Sequence, residues 1–225
     1  MNKIAVQTIW GFITLMLILG ICMFLPAGSL GFWQAWVYLG VWAACVIPIT
    51  LYLFKHDLKL LTSRLSVGPT AETQASQKII QSLASLFFIG LFIVPGLDFR
   101  LHWSNVPVAL EFVSYGMVAL GFWIVFLVFR ENSYTSAVIE VSAEQQVISS
   151  GPYRWVRHPM YAGALLLLAF TPFALGSWVA LPFFLPMLFV IAARLLSEEK
   201  FLNENLKGYK EYCAKVRYHL VPFVW

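Results

Sequence analysis

The chain has 225 residues, 60% of them hydrophobic and only 12% charged, with a formal net charge of +4. A soluble domain carries about twice that share of charge, so this composition, with a mean hydropathy of +0.77, excludes one and reads as an integral membrane protein. The pI near 9.0 is met by contact with an anionic leaflet and gives no reason to invoke nucleic acid.

Uncharged runs cover residues 4–25, 33–54, 79–97, 112–129 and 159–193. A helix rises about 1.5 Å per residue and needs about 20 residues to cross the hydrocarbon. The first four runs are therefore read as single spans, the fourth extended by 106–110 with Glu111 at the interface. The first is a retained helix rather than a signal peptide, because its apolar run exceeds a usual signal core and further spans follow. The fifth is too long for one span and short for two. One straight helix there would separate Arg154 and Arg157 from Arg194 and Lys200 across the bilayer, against the positive-inside tendency. A hairpin breaking near 171–177, with Pro172 and Gly176 supplying the turn, keeps both ends together. The expected fold is all-α, with five to six transmembrane segments. The last two form a tight helical hairpin, and a C-terminal cytoplasmic helical tail follows.

The same rule orients the chain. With the N-terminus inside, Arg100 is the one basic residue left outside, so both termini are expected to be cytoplasmic. Cys22 and Cys45 lie in spans and Cys213 in the tail, which offers neither a disulfide framework nor metal-ligand spacing. No Gly-rich phosphate loop appears. Nothing in the sequence sets an oligomeric state.

Residues 1–130 thus hold the N-terminal transmembrane helices, and chemistry falls to 131–225. Two stretches there are available, 131–158 and 197–225, the feet of the hairpin. In the first, Val138-Ile139-Glu140-Val141 and Val147-Ile148 form a hairpin-like pattern. Ser149-Ser150-Gly151-Pro152 reads as a turn. His158 precedes Pro159, which suits a first helical position. The helix therefore begins with Arg157 and His158 at its mouth. A helix N-terminus already carries partial positive charge, so Arg154 and Arg157 there read either as a receptor for a carboxylate or phosphate or as an ordinary basic flank on lipid phosphates.

The second stretch is ARLLSEEKFLNENLKGYKEY. Arg194 and Glu198 stand one turn apart, and a direct pair is expected. Glu199 shares a face with Leu195 and Leu202, which turns it inward. A carboxylate facing inward at a membrane boundary needs a donor or cation, and Arg157, His158 or a ligand hydroxyl would serve. Tyr153, Tyr161 and Tyr209 frame the same region or act as interface anchors. Ala162-Gly163-Ala164 permits close approach of a helix or a flat ligand. The tail after Gly208 is expected to move as a lid.

Gly151-Pro152-Tyr153, Arg157-His158-Pro159-x-Tyr161-x-Gly163, Glu198-Glu199-x-x-Leu202 and Tyr209-x-x-Tyr212 together resemble the isoprenylcysteine carboxyl methyltransferase family. Its members are membrane enzymes that use S-adenosylmethionine, and phospholipid N-methyltransferases are relatives with a similar double-Glu element. The resemblance covers about the last third of the chain, 149–225. It implies a cofactor site built by Tyr153, His158, Tyr161, Gly163, Glu198 and Glu199. It also implies a catalytic set of Arg157, Arg194 and Glu198 facing a lipophilic or lipid-linked acceptor. A carboxylate acceptor needs only an arginine to aim it, whereas an amine needs a base such as His158 or a Glu. The Gly-x-Gly element of the phospholipid enzymes has no counterpart here. The short loops look like those of the prokaryotic members, which implies a bacterial inner membrane. Residues 208–225 also resemble the end of NADPH-dependent membrane sterol reductases, a second reading. A non-catalytic membrane module is a third.

Overall fold

The computed structural model describes residues 3–65, 75–135 and 145–225. Among the described residues the regular structure is entirely helical. Helices α1 (Lys3–Ala27), α2 (Trp33–His56), α4 (Ala75–Leu101), α5 (Val108–Glu131) and α7 (Leu181–Asn205) are each long and apolar enough to cross a membrane. Between them lie α3 (Leu58–Leu65) and α6 (Pro159–Ala174), and α8 (Tyr209–Lys215) follows. This is an all-α, multi-pass membrane protein. Side chains such as Trp10, Leu25 and Phe189 stand exposed on the outer faces, as hydrocarbon-facing surface requires and water would penalise.

The expected spans lie inside the helices found, except that the extension of the fourth begins at Val108 rather than at 106. The hairpin also breaks where Pro172 and Gly176 suggested, with α6 ending at Ala174 and Gly176 taking a left-handed φ of 70°, open to glycine without steric cost. At 16 residues, α6 extends about 24 Å, short of the roughly 30 Å hydrocarbon core. It is the incomplete member of the pair. Of the hairpin-like pattern, Val138–Val141 lies outside the described residues, and Val147 and Ile148 are non-helical chain.

Helix α5 packs most extensively on α6, α4 lies between α1 and α7, and α2 fills in beside α5 and α1. At the α5–α6 crossing a Cβ added to Gly121 would stand 2.7 Å from the Gly163 carbonyl oxygen. One added to Gly163 would stand 2.9 Å from that of Gly121. Only glycine on both sides allows this approach. The core centres on Leu19, Met23, Tyr38, Phe92 and Val118. There the Tyr38 hydroxyl meets Thr171 Oγ1 at 2.8 Å. Thr171 spends its own proton on the Leu167 carbonyl, so Tyr38 is the donor, and the bond ties α2 to α6.

At the end of the bundle where the hairpin turns, Asp98 is buried. It accepts from Ser177 Oγ at 2.5 Å, from the Ser104 amide at 2.8 Å and from the Ser104 hydroxyl. Glu111, expected at the interface, lies in the first turn of α5, is 2% exposed and accepts from Gln34 Nε2 at 3.2 Å. The turn of the hairpin covers it, with Gly176 directly against its carboxylate.

Candidate functional site

At the other end the two feet of the hairpin meet. Pro159 opens α6 with His158 as the preceding non-helical residue, as the Pro rule anticipates. His158 and Tyr161 thereby face the last turns of α7, where the periodicity that buries Leu195 also buries Glu199. Between the feet lies an open cleft with about 840 Å³ of space including its mouth. Tyr153, His158, Tyr161, Arg194, Glu198 and Tyr209 all line it.

Glu199 forms one centre. Its Oε1 accepts from Arg157 at 3.1 Å and from His158 Nε2 at 3.2 Å, and its Oε2 accepts from His219 Nε2 at 3.2 Å. A carboxylate can only accept, so His158 donates from Nε2, whereas His219 Nε2 stands between the Glu199 carboxylate and Arg157 Nη1, the latter at 3.3 Å. Its inward orientation was expected, and so were Arg157 and His158 as its partners. His219 was not, because no local spacing connects position 219 with 199.

Arg157 is a correction. The expected anion receptor is occupied by protein. Its Nε donates to the Val216 carbonyl at 2.7 Å, and its other nitrogens donate to the carbonyls of Cys213 at 3.2 Å and Arg217 at 3.3 Å and to Glu199. The backbone amides of Arg157 and His158 donate to the carbonyls of Tyr218 and His219, both at 2.9 Å. Trp225 then stacks on His219 at 4.8 Å. Arg157 therefore fastens the tail, and the segment expected to swing freely after Gly208 is held by a fully used guanidinium.

A second centre faces the cleft. Arg194 Nε donates to the Tyr161 hydroxyl at 3.2 Å, and that hydroxyl donates to Glu198 Oε2 at 2.6 Å. Arg194 also donates to Gln77 at 3.2 Å, which anchors it to α4. The expected Arg194–Glu198 contact thus runs through the Tyr161 hydroxyl. Tyr153 accepts from Asn132 Nδ2 at 3.0 Å, and its own carbonyl accepts from the Tyr212 hydroxyl at 2.8 Å. Burial pushes the Tyr153 phenol up to about 12 and raises those of Tyr209 and Tyr212 as well, so all three are neutral at physiological pH. Gly163 is the second correction. It does not line the cleft, because its open face is filled by α5.

One neighbour went unnoticed in the sequence. Arg64 on α3 donates to Met160 Sδ at 3.2 Å, and its guanidinium carbon stands 4.8 Å from the centre of the Phe129 ring. Burial pulls its pKa down to about 10, while Tyr153, Tyr161 and Glu198 act against that shift. It remains a cation at neutral pH. An isolated arginine at the end of a span reads as an ordinary basic flank, which is why it gave no signal.

Residues 110–208 match the family model described as phospholipid methyltransferase. Over 105 residues the chain is also 28% identical to Delta(14)-sterol reductase TM7SF2 of Mus musculus, a match that covers 43% of this chain and 25% of that protein. The chain thus spans about a quarter of the curated relative. The matched family segment includes the first foot of the hairpin and the start of the second, with His158, Tyr161, Arg194, Glu198 and Glu199, and it supports a membrane methyltransferase.

Proposed function

We propose that this chain is an integral membrane methyltransferase that uses S-adenosylmethionine and methylates a lipophilic acceptor, with carboxyl O-methylation as its reaction. The observation that carries this reading is the Arg194–Tyr161–Glu198 relay on the wall of a cleft between the hairpin feet, within a segment matched by a methyltransferase family. The donor set fits the cofactor. Glu198 offers a carboxylate to a ribose diol or a cationic centre, Tyr153 and Tyr209 offer aromatic surface to a flat base, and the amides of Asn132 and Gln146 offer donors to a carboxylate. Bound there, S-adenosylmethionine supplies a methyl group made electrophilic by its sulfonium.

The chain's own part is positioning. Glu199 holds His158 and, through Arg157, the tail. Tyr161 fixes Glu198 and Arg194 relative to each other, and Arg194 aims an anionic acceptor. A carboxylate acceptor is already ionised, so no residue has to remove a proton. Residues 131–225 form the cofactor-binding region in this reading. Both termini and the cleft face the cytoplasm, in a bacterial inner membrane.

The similarity to a sterol reductase favours a second reading, reduction with NADPH. Calorimetry on the purified protein separates the two. S-adenosylhomocysteine is expected to bind, NADPH is not, and Glu198→Gln is expected to weaken the former about tenfold, the worth of one charge-assisted hydrogen bond. Binding of NADPH alone would overturn the methyltransferase reading. Radiolabel transferred from the cofactor should be released by base, as a methyl ester is. Base-stable label would instead indicate N-methylation.

A further inference from the structure

Arg64 touches Met160 on the cleft wall, and neither the relay nor the tail clamp uses its chemistry. A guanidinium carries five N–H donors. Among the described residues Arg64 gives one to a thioether sulfur, a weak acceptor, and rests against the Phe129 ring. Its Nε is buried without a partner. Tyr153, Tyr161 and Glu198 are near enough to influence it electrostatically. Even so, among the described residues no carboxylate lies within ion-pair distance of it. Arg64 is half-buried, and a guanidinium drawn partly out of water is ordinarily paired with an anion, because desolvation without one is costly.

Its position indicates what would pair with it. Helix α3 packs on α1 and α2, and Leu60 and Leu61 sit in an apolar cluster with Leu53 that Tyr52 and Phe129 flank. Met160, which Arg64 touches, lines the cleft. Arg64 therefore stands beside Met160, where the apolar cluster around α3 meets the cleft wall. A ligand reaching it brings an apolar body along the helices and an anionic head toward the guanidinium. The planar fork suits a carboxylate or a phosphate.

We infer that Arg64 is an anion-binding residue of the acceptor site, taking the carboxylate or phosphate head of an amphiphile that enters from the lipid side. This rests on the methyltransferase reading for the word acceptor, though not for the anion site itself. It adds a residue outside the matched family segment and makes head-group charge a determinant of which lipids are admitted.

The test uses the full chain in a neutral detergent, with dodecanoate, dodecyl phosphate, inorganic phosphate and dodecanol as probes and S-adenosylhomocysteine as a separate ligand. Dodecanoate or dodecyl phosphate is expected to bind at least about tenfold more tightly than dodecanol, the worth of a charge-assisted contact. Which of the two binds better identifies the head group, and inorganic phosphate binding weakly shows that the chain is needed. Arg64→Gln is expected to abolish that preference and to leave S-adenosylhomocysteine affinity unchanged. Equal affinity for dodecanoate, dodecyl phosphate and dodecanol in the unaltered protein would overturn the proposal, even if Arg64→Gln does not fold. So would an Arg64→Gln protein that keeps the preference. Loss of S-adenosylhomocysteine binding by the unaltered protein, with the anion preference intact, would sink the methyltransferase reading and leave this site standing.

Discussion

Both ends of the bundle bury acids, and Asp98 and Glu199 are satisfied by different chemistry. Asp98, at the hairpin turn, is surrounded by the hydroxyls of Ser104 and Ser177 and by a backbone amide. Glu199, at the feet, is surrounded by a guanidinium and two imidazoles. Neutral donors close a turn and ask nothing more of the acid. The guanidinium depends on its charge, because without it Arg157 is left with no counter-ion in a poorly solvated space. One end is a latch, and the other is an electrostatic keystone beside the cleft.

Substitutions at the two ends should therefore differ in size and in reach. Glu199→Gln is expected to cost most, about 3 kcal/mol, the scale of removing one partner from a buried ion pair. It should also release residues 216–225 to protease. Thermal unfolding in detergent measures the first effect and limited proteolysis the second, and an unchanged cleavage pattern would break the contrast drawn here. Asp98→Asn should cost about 2 kcal/mol, since an amide can replace one accepting oxygen but not both. Its effect should stay local, leaving tail cleavage and S-adenosylhomocysteine affinity as they were. Ser177→Ala removes one donor from Asp98 and should cost about 1 kcal/mol. Were it to equal Glu199→Gln in size, the turn would matter as much as the feet.

The lengthwise plan was legible because hydropathy and basic residues report directly on the bilayer. The four single spans, the hairpin and its break all follow from one-dimensional features. The inward turn of Glu199 was legible too, from its register with Leu195 and Leu202. What could not be read is lateral. Glu111 reads as an interfacial acid, but not as one that the hairpin turn covers, and that closure depends on Gly176, 65 positions away in the chain. Arg157 presents the same residue type whether it greets an anion or fastens a tail. Only the carbonyls of Cys213, Val216 and Arg217 decide between the two. His219 and Arg64 carry no local pattern at all, since their partners come from other elements.

The bare crossing of Gly121 and Gly163 has a mechanical consequence for ligand entry. Side chains can rotate aside to let two helices part or slide, but a contact made of backbone alone has no rotamers to spend. The α5–α6 joint is therefore a rigid wall beside the cleft, and adding even one methyl group at either glycine is expected to force the two helices apart. Anything admitted to the cleft has to pass beside that wall, not by prying α6 from α5.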